Sequence, residues 1–110
     1  MNHEIGLFRA LADLTRLRLA VILAIRGDTC VCLLGKALGE PDYKISRHLS
    51  VLRSAGMVEN RREGTWMHYR LVEPRSLAEE DIQKMLRGVF SKYEVISADL
   101  SRIESGLCSE

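Results

Sequence analysis

Apolar positions in the first half of the chain recur at helical spacing in four separate blocks. Ile5, Phe8 and Leu11 mark a short helix over residues 4–12. Leu17, Leu19, Val21, Ile22 and Leu23 crowd a second, from Leu14 to about Arg26. Its apolar surface is too broad for a surface helix, so it is predicted to be central. Asp13 stands where a side-chain cap is needed, and Gly27 ends the block. A third helix is predicted over roughly Val31–Leu38, with Asp28 or Thr29 to cap it. After the tight link Gly39-Glu40-Pro41 comes a fourth, at about Asp42–Ala55. Ile45, Leu49 and Leu52 share one stripe of it, and Gly56 follows at the left-handed position past its end.

The period then changes to two. Met57 and Val58 lead a charged stretch to Glu63, and Gly64-Thr65 forms a turn. In the return strand, Trp66 to Val72, the residues Trp66, His68 and Arg70 alternate with Met67, Tyr69 and Leu71, the second set being expected inward. Pro74 breaks the strand. Ser76-Leu77-Ala78-Glu79 reads as a capping box opening a last helix. Along it, Ile82, Leu86, Val89, Tyr93, Ile96, Leu100 and Ile103 step by 4, 3, 4, 3, 4 and 3, a heptad seam. One helix over 76–105 is too long to bury that seam on a small domain. A homodimer is therefore predicted, with 76–105 as its dimerisation helix; packing on the chain's own first two helices is the alternative.

Composition narrows the function. The 110 residues make one domain, and 46% hydrophobic with 28% charged residues is ordinary globular composition. The net charge of +1 excludes a general polycation, so nucleic-acid binding would have to rest on asymmetry. The asymmetry is present: residues 42–72 carry six Lys or Arg against three acids, and residues 76–110 carry four against seven. Two helices across a short Gly-containing turn, followed by a basic hairpin, suit a winged helix-turn-helix on duplex DNA, mainly α with a β-hairpin wing. An amphipathic helix and an ordinary hairpin are the plainer alternative. The candidate contacts are Tyr43, Lys44, Ser46, Arg47, His48 and Ser50 on the fourth helix, with Arg61 and Arg62 on the wing. Arg47 is suited to a guanine edge, and Lys44, Arg61 and Arg62 to phosphates. His48 suits a hydrogen bond to DNA or within the fold. A two-fold dimer would meet two half-sites about one helical turn apart on a near-palindromic operator. No apolar run reaches membrane-spanning length and no signal peptide is recognised, so a cytoplasmic protein without a membrane partner is expected. Three cysteines are too few for a disulfide framework and fit a reducing compartment.

Cys30-Val31-Cys32 sits at the start of the third predicted helix. Two residues along a helix turn a side chain by about 200°, so an intact helix cannot aim both thiols at one ion. A thiophilic ion bridging both would unwind the helix start, next to the reader. Buried cysteines acting as small hydrophobes are the plainer reading. Cys108 lies far along the chain as a third ligand or an inert tail residue, the second being favoured.

These motifs resemble the ArsR/SmtB family of metal-sensing winged-helix repressors, closest to its arsenic-responsive branch. The resemblance covers residues 5–72. LFRALADLTRLRLAVIL looks like the opening helices, with Leu14 where proline is usual. CVCLL looks like the arsenite-binding element, and KISRHLSVLRSAGMV with RREGTWMHYRL looks like the reading helix and wing. The resemblance implies a dimeric repressor of a metalloid-resistance operon that needs no cofactor to bind DNA. Arsenite or antimonite at Cys30 and Cys32 would release it; cadmium or lead on the same thiolates is the neighbouring option. It also implies a dimer interface from the first and last helices, adding Ile5 and Phe8 to the heptad seam. The arsenic branch often carries a further cysteine three positions after the second, where this chain has Gly35. Residues 76–110 contain no histidine, against a zinc or nickel site of the family's C-terminal type. A thiol redox switch ranks lower, since Cys30 and Cys32 are poorly placed for a mutual disulfide. An enzyme such as a thiol-based arsenate reductase ranks last: Leu33-Leu34-Gly35-Lys36 is no phosphate-cradling loop.

Overall fold

The computed structural model describes residues 1–106 and Cys108. Helices α1 (Asn2–Leu11) and α2 (Leu14–Arg26) meet at Asp13, whose carboxylate accepts the Arg16 backbone N–H at 3.0 Å. Leu19 through Leu23 are all at most 1% exposed, so α2 is the axis on which the other elements pack. A short strand β1 (Thr29–Cys30) leads into α3 (Val31–Leu38) and α4 (Asp42–Ser54). Ile45, Leu49 and Leu52 are fully buried, and each contributes about 2 kcal/mol of burial. Past α4, Gly56 has φ +84°, its N–H bonds Arg53 O, and the Met57 N–H returns to Leu52 O, a complete Schellman stop.

The wing pairs β2 (Val58–Glu63) with β3 (Trp66–Leu71) in register from Val58 opposite Leu71 to Glu63 opposite Trp66. Gly64, at φ +62°, makes the turn. The sheet order is β1-β3-β2, with Cys30 opposite His68. Met67, Tyr69 and Leu71 join the core as the alternation predicts. The chain closes with α5 (Leu77–Arg87), a 3-10 turn (Val89–Lys92) and α6 (Glu94–Ser105).

The single helix expected over 76–105 is therefore broken. Gly88 has poor helix propensity, and the Ser91 hydroxyl donates to Gly88 O at 2.6 Å in competition with the helical ladder. The break lets α6 fold back on α2 and α3. Arg18 of α2 forks both oxygens of Asp99 at 2.9 and 2.7 Å, and Arg102 Nε donates to Ala37 O at 2.7 Å. Asp99 is fully buried, so its charge requires these partners. The heptad seam is divided accordingly. Ile82, Leu86, Ile96 and Ile103 belong to the chain's own core at 0–5% exposure, and Leu100 packs against it. These five are corrected from partner-facing to internal. Ile5, Phe8, Val89 and Tyr93 stay exposed, at 44, 55, 61 and 56%.

Two caps differ from expectation. Cys30 itself is the N-cap of α3, and neither Asp28 nor Thr29 serves; the Thr29 hydroxyl donates to Gly27 O instead. At α5 the Ser76 hydroxyl accepts the Glu79 N–H, but the Glu79 carboxylate does not complete the box. It bonds His3 Nε2 at 2.7 Å and the Arg75 N–H at 3.1 Å, tying α1 to α5.

Candidate nucleic-acid interface and thiol site

Helix α4 is held by its apolar stripe and shows its other side to solvent. Tyr43, Lys44, Arg47 and Ser50 are exposed, and Ser46 and His48 are half-buried. The Arg47 guanidinium stands 5.9 Å from the Tyr43 ring centroid, which keeps both side chains on the outer face. Lys44 Nζ lies 3.6 Å from Glu40 in an exposed pair worth little. His48 Nδ1 faces Asp13 at 3.9 Å, so its ring leans toward the cap of α2.

The two wing arginines differ. The Arg61 guanidinium donates to both Asp28 oxygens at 3.1 and 3.2 Å and to Glu63. Its charge is neutralised locally, which the sequence does not reveal because Asp28 is 33 residues away. Glu63 is held below the usual carboxylate range, first by its bond from Arg61. Arg62 is exposed and forms no ion pair among the described residues. Of the wing candidates, Arg62 is the one left to meet an outside anion.

The thiols lie where these parts converge. Cys30 is not helical: its φ of −78° and ψ of 154° are extended, and it pairs across to His68 of the wing. Cys32 lies in the first turn of α3. It lines a groove with Asp42 and Ser46 of α4 and with Thr65 and Trp66 of the wing. Strand-to-helix geometry thus separates the two residues differently from the two helical positions expected. Unwinding α3 is not needed to redirect Cys30. Cys108 is not an inert tail residue. It is disulfide-bonded to Cys32, with a Cα separation of 6.1 Å, while Cys30 is a buried free thiol. Cys30 and Cys108 also line one cavity, with Leu33, Trp66, His68 and Ile103. With the disulfide closed, no three His, Cys, Asp or Glu side chains among the described residues are placed to hold an ion.

Position 35 has its own constraint. A Cβ on Gly35 would stand 2.8 Å from Glu40 O and 3.0 Å from Asp42 Oδ1. Backbone blocks that direction, because the turn between α3 and α4 closes directly over Gly35. Contact between the two helices therefore depends on glycine here. His68 Nδ1 is buried 2.9 Å from Asp28 Oδ1 but is out of line for a hydrogen bond. No helix among the described residues is long and apolar enough to cross a membrane.

Comparison with known proteins fits this geometry. A family model described as "Bacterial regulatory protein, arsR family" matches residues 13–60. The arsenic resistance transcriptional regulator ArsR1 of Pseudomonas putida is 42% identical over 97 residues, covering 87% of this chain and 73% of that protein. The arsenical resistance operon repressor of Escherichia coli is 49% identical over 67 residues, or 61% of this chain and 57% of that repressor's length. Among solved structures, a homodimeric winged helix-turn-helix DNA-binding domain from Mycobacterium bovis superposes with a TM-score of 0.65. It is 29% identical, over 99% of this chain and 89% of that one.

Proposed function

The chain belongs to the arsR family of bacterial regulatory proteins, and from that membership we propose that it is a dimeric operator-binding repressor released by trivalent arsenic or antimony at its cysteines. The family comprises regulators, not enzymes, and the fold is a winged helix-turn-helix. One observation carries the reading: Cys30 heads α3 of the helix-turn-helix and, in the same residue, pairs with wing strand β3. An ion drawing Cys30 and Cys32 together would act on both DNA-reading parts at once. Thiolates select soft ions, and the names of the E. coli and P. putida relatives point to arsenic among them.

In this reading α4 of each subunit enters a major groove. Tyr43, Arg47 and Ser50 face the bases and Lys44 and Arg62 face the phosphates. Half-buried Ser46 and His48 stand at the edge of the face. The exposed apolar side chains of Ile5 and Phe8 on α1, with Val89 and Tyr93 beside α5, supply the partner surface. His3 and Glu79 hold α1 and α5 side by side there. Two copies then present two readers to a near-palindromic operator. Coupling is reciprocal: if arsenite weakens operator binding by a given factor, operator weakens arsenite binding by the same factor.

The test is fluorescence anisotropy of operator duplex with reduced protein, titrated with arsenite. Wild type is expected to dissociate. Cys30→Ser is expected to bind operator normally yet ignore arsenite. Full release of Cys30→Ser would remove Cys30 from the sensor.

A further inference from the structure

Trivalent arsenic in water is arsenous acid, with three oxygens that three thiols can replace. Cys30 and Cys32 supply two sulfurs. Within α3 a third is blocked at Gly35, where any Cβ meets the carbonyl of Glu40 at 2.8 Å. The end of the chain offers the remaining one. Three contacts bring it there. Asp99 is forked by Arg18, and Arg102 donates to Ala37 O of α3. Gly106 sits so close to α3 that a Cβ on it would be 2.8 Å from Lys36 Cδ. Cys108 then reaches Cys32 and opens on the cavity that Cys30 lines.

We propose that Cys108 of the same subunit is the third sulfur of the effector site, so that Cys30, Cys32 and Cys108 together replace the three hydroxyls of arsenous acid. This rests on the arsenite-sensing reading given above. Three As–S bonds form, three As–O bonds break, and three thiol protons leave with the hydroxyls as three waters; arsenic stays trivalent. The disulfide form is the competing state, since it withholds two of the three ligands. It must first be opened by a two-electron reductant, for instance a phosphine, which takes oxygen from water and leaves two thiols.

The experiment uses the full chain, reduced with a phosphine so that no added thiol competes. Native mass spectrometry after arsenite addition reads the ligand count. A three-sulfur adduct weighs one water less than a two-sulfur adduct that keeps a hydroxyl. Wild type is expected to give the three-sulfur mass. Cys108→Ser is expected to give the heavier two-sulfur mass and to bind arsenite on the order of a hundredfold more weakly, having lost one tethered arm. Phenylarsine oxide, whose phenyl group leaves arsenic two thiols to take, should bind wild type and Cys108→Ser alike. Oxidised wild type should take up no arsenite until reduced. A hydroxyl-retaining wild-type adduct, or equal arsenite affinity in Cys108→Ser, would overturn the proposal, and the first needs no variant. Operator release separates the two readings. If the three-sulfur adduct forms but operator stays bound, the sensing function fails and the ligand set stands. If Cys108→Ser releases operator at the wild-type arsenite concentration, the ligand set fails and the function stands.

Discussion

Gly35 shows how one side chain's absence shapes the rest. The carbonyl of Glu40 occupies the space a Cβ would take, and that closeness sets how α4 leans on α3. The wing arginines are a second case of neighbouring residues with different fates. Arg61 is shared between Asp28 and Glu63, while Arg62 meets solvent. Arg62→Ala should reduce the slope of log affinity against log salt by about one per subunit contact on any DNA sequence. Arg61→Ala should change that slope much less, since its charge is already neutralised. Binding isotherms across a salt series decide it, and equal slopes for the two variants would contradict this division. From sequence both arginines look equivalent, because the partner that separates them comes from a distant turn.

Among the elements, helices α2 to α4 and the hairpin were legible from their apolar positions and stop signals; α1 is a helix as expected, but it buries Leu7 and Ala10 and leaves Ile5 and Phe8 exposed. Strand β1 was not legible, since two residues are too few to show a period. Its existence depends on β3 offering an open edge. The break at Gly88 was hidden for the opposite reason. The heptad steps run through it unchanged, yet its two halves face the same core from different directions. Two carboxylates, one at the cap of α2 and one tying α1 to α5, carry acid sensitivity. Asp13 is held below the usual carboxylate range, chiefly by the Arg16 backbone N–H. For Glu79 burial pushes upward, but the bonds from His3 and Arg75 more than reverse it. Both folded values are depressed. Their stabilisation is therefore complete above the unfolded value of about 4 and lost as pH falls through the folded one. Urea midpoints should drop over that acid range. Asp13→Asn, which keeps a capping oxygen, should flatten part of the fall while changing neutral-pH stability by less than about 1 kcal/mol. An unchanged acid limb would mean Asp13 does not titrate with folding.

At the scale of the molecule, the seam that promised a coiled coil is largely consumed inside one subunit, and what remains exposed is a smaller patch on α1 and the 3-10 turn. A partner surface built from Ile5, Phe8, Val89 and Tyr93 should be vulnerable at its aromatic centre. Phe8→Glu is expected to shift the protein to monomer in sedimentation equilibrium, keep its helical circular dichroism, and lose operator affinity with the second reader. A dimer that survives Phe8→Glu would place the interface elsewhere. The site was legible in part. Cys30 and Cys32 announce themselves by proximity along the chain, whereas Cys108, 76 positions beyond Cys32, reads from sequence as a third ligand or an inert tail, and only the turn-back of α6 brings it to Cys32.

The bond between Cys32 and Cys108 also encloses most of the chain in a covalent ring. The reader helix and the whole wing lie inside it, and α1 and α2 lie outside. Closing a ring of that size removes freedom from the unfolded chain worth roughly 4 kcal/mol on the loop-entropy account. An oxidised population is thus expected to outlast a reduced one under heat or proteolysis.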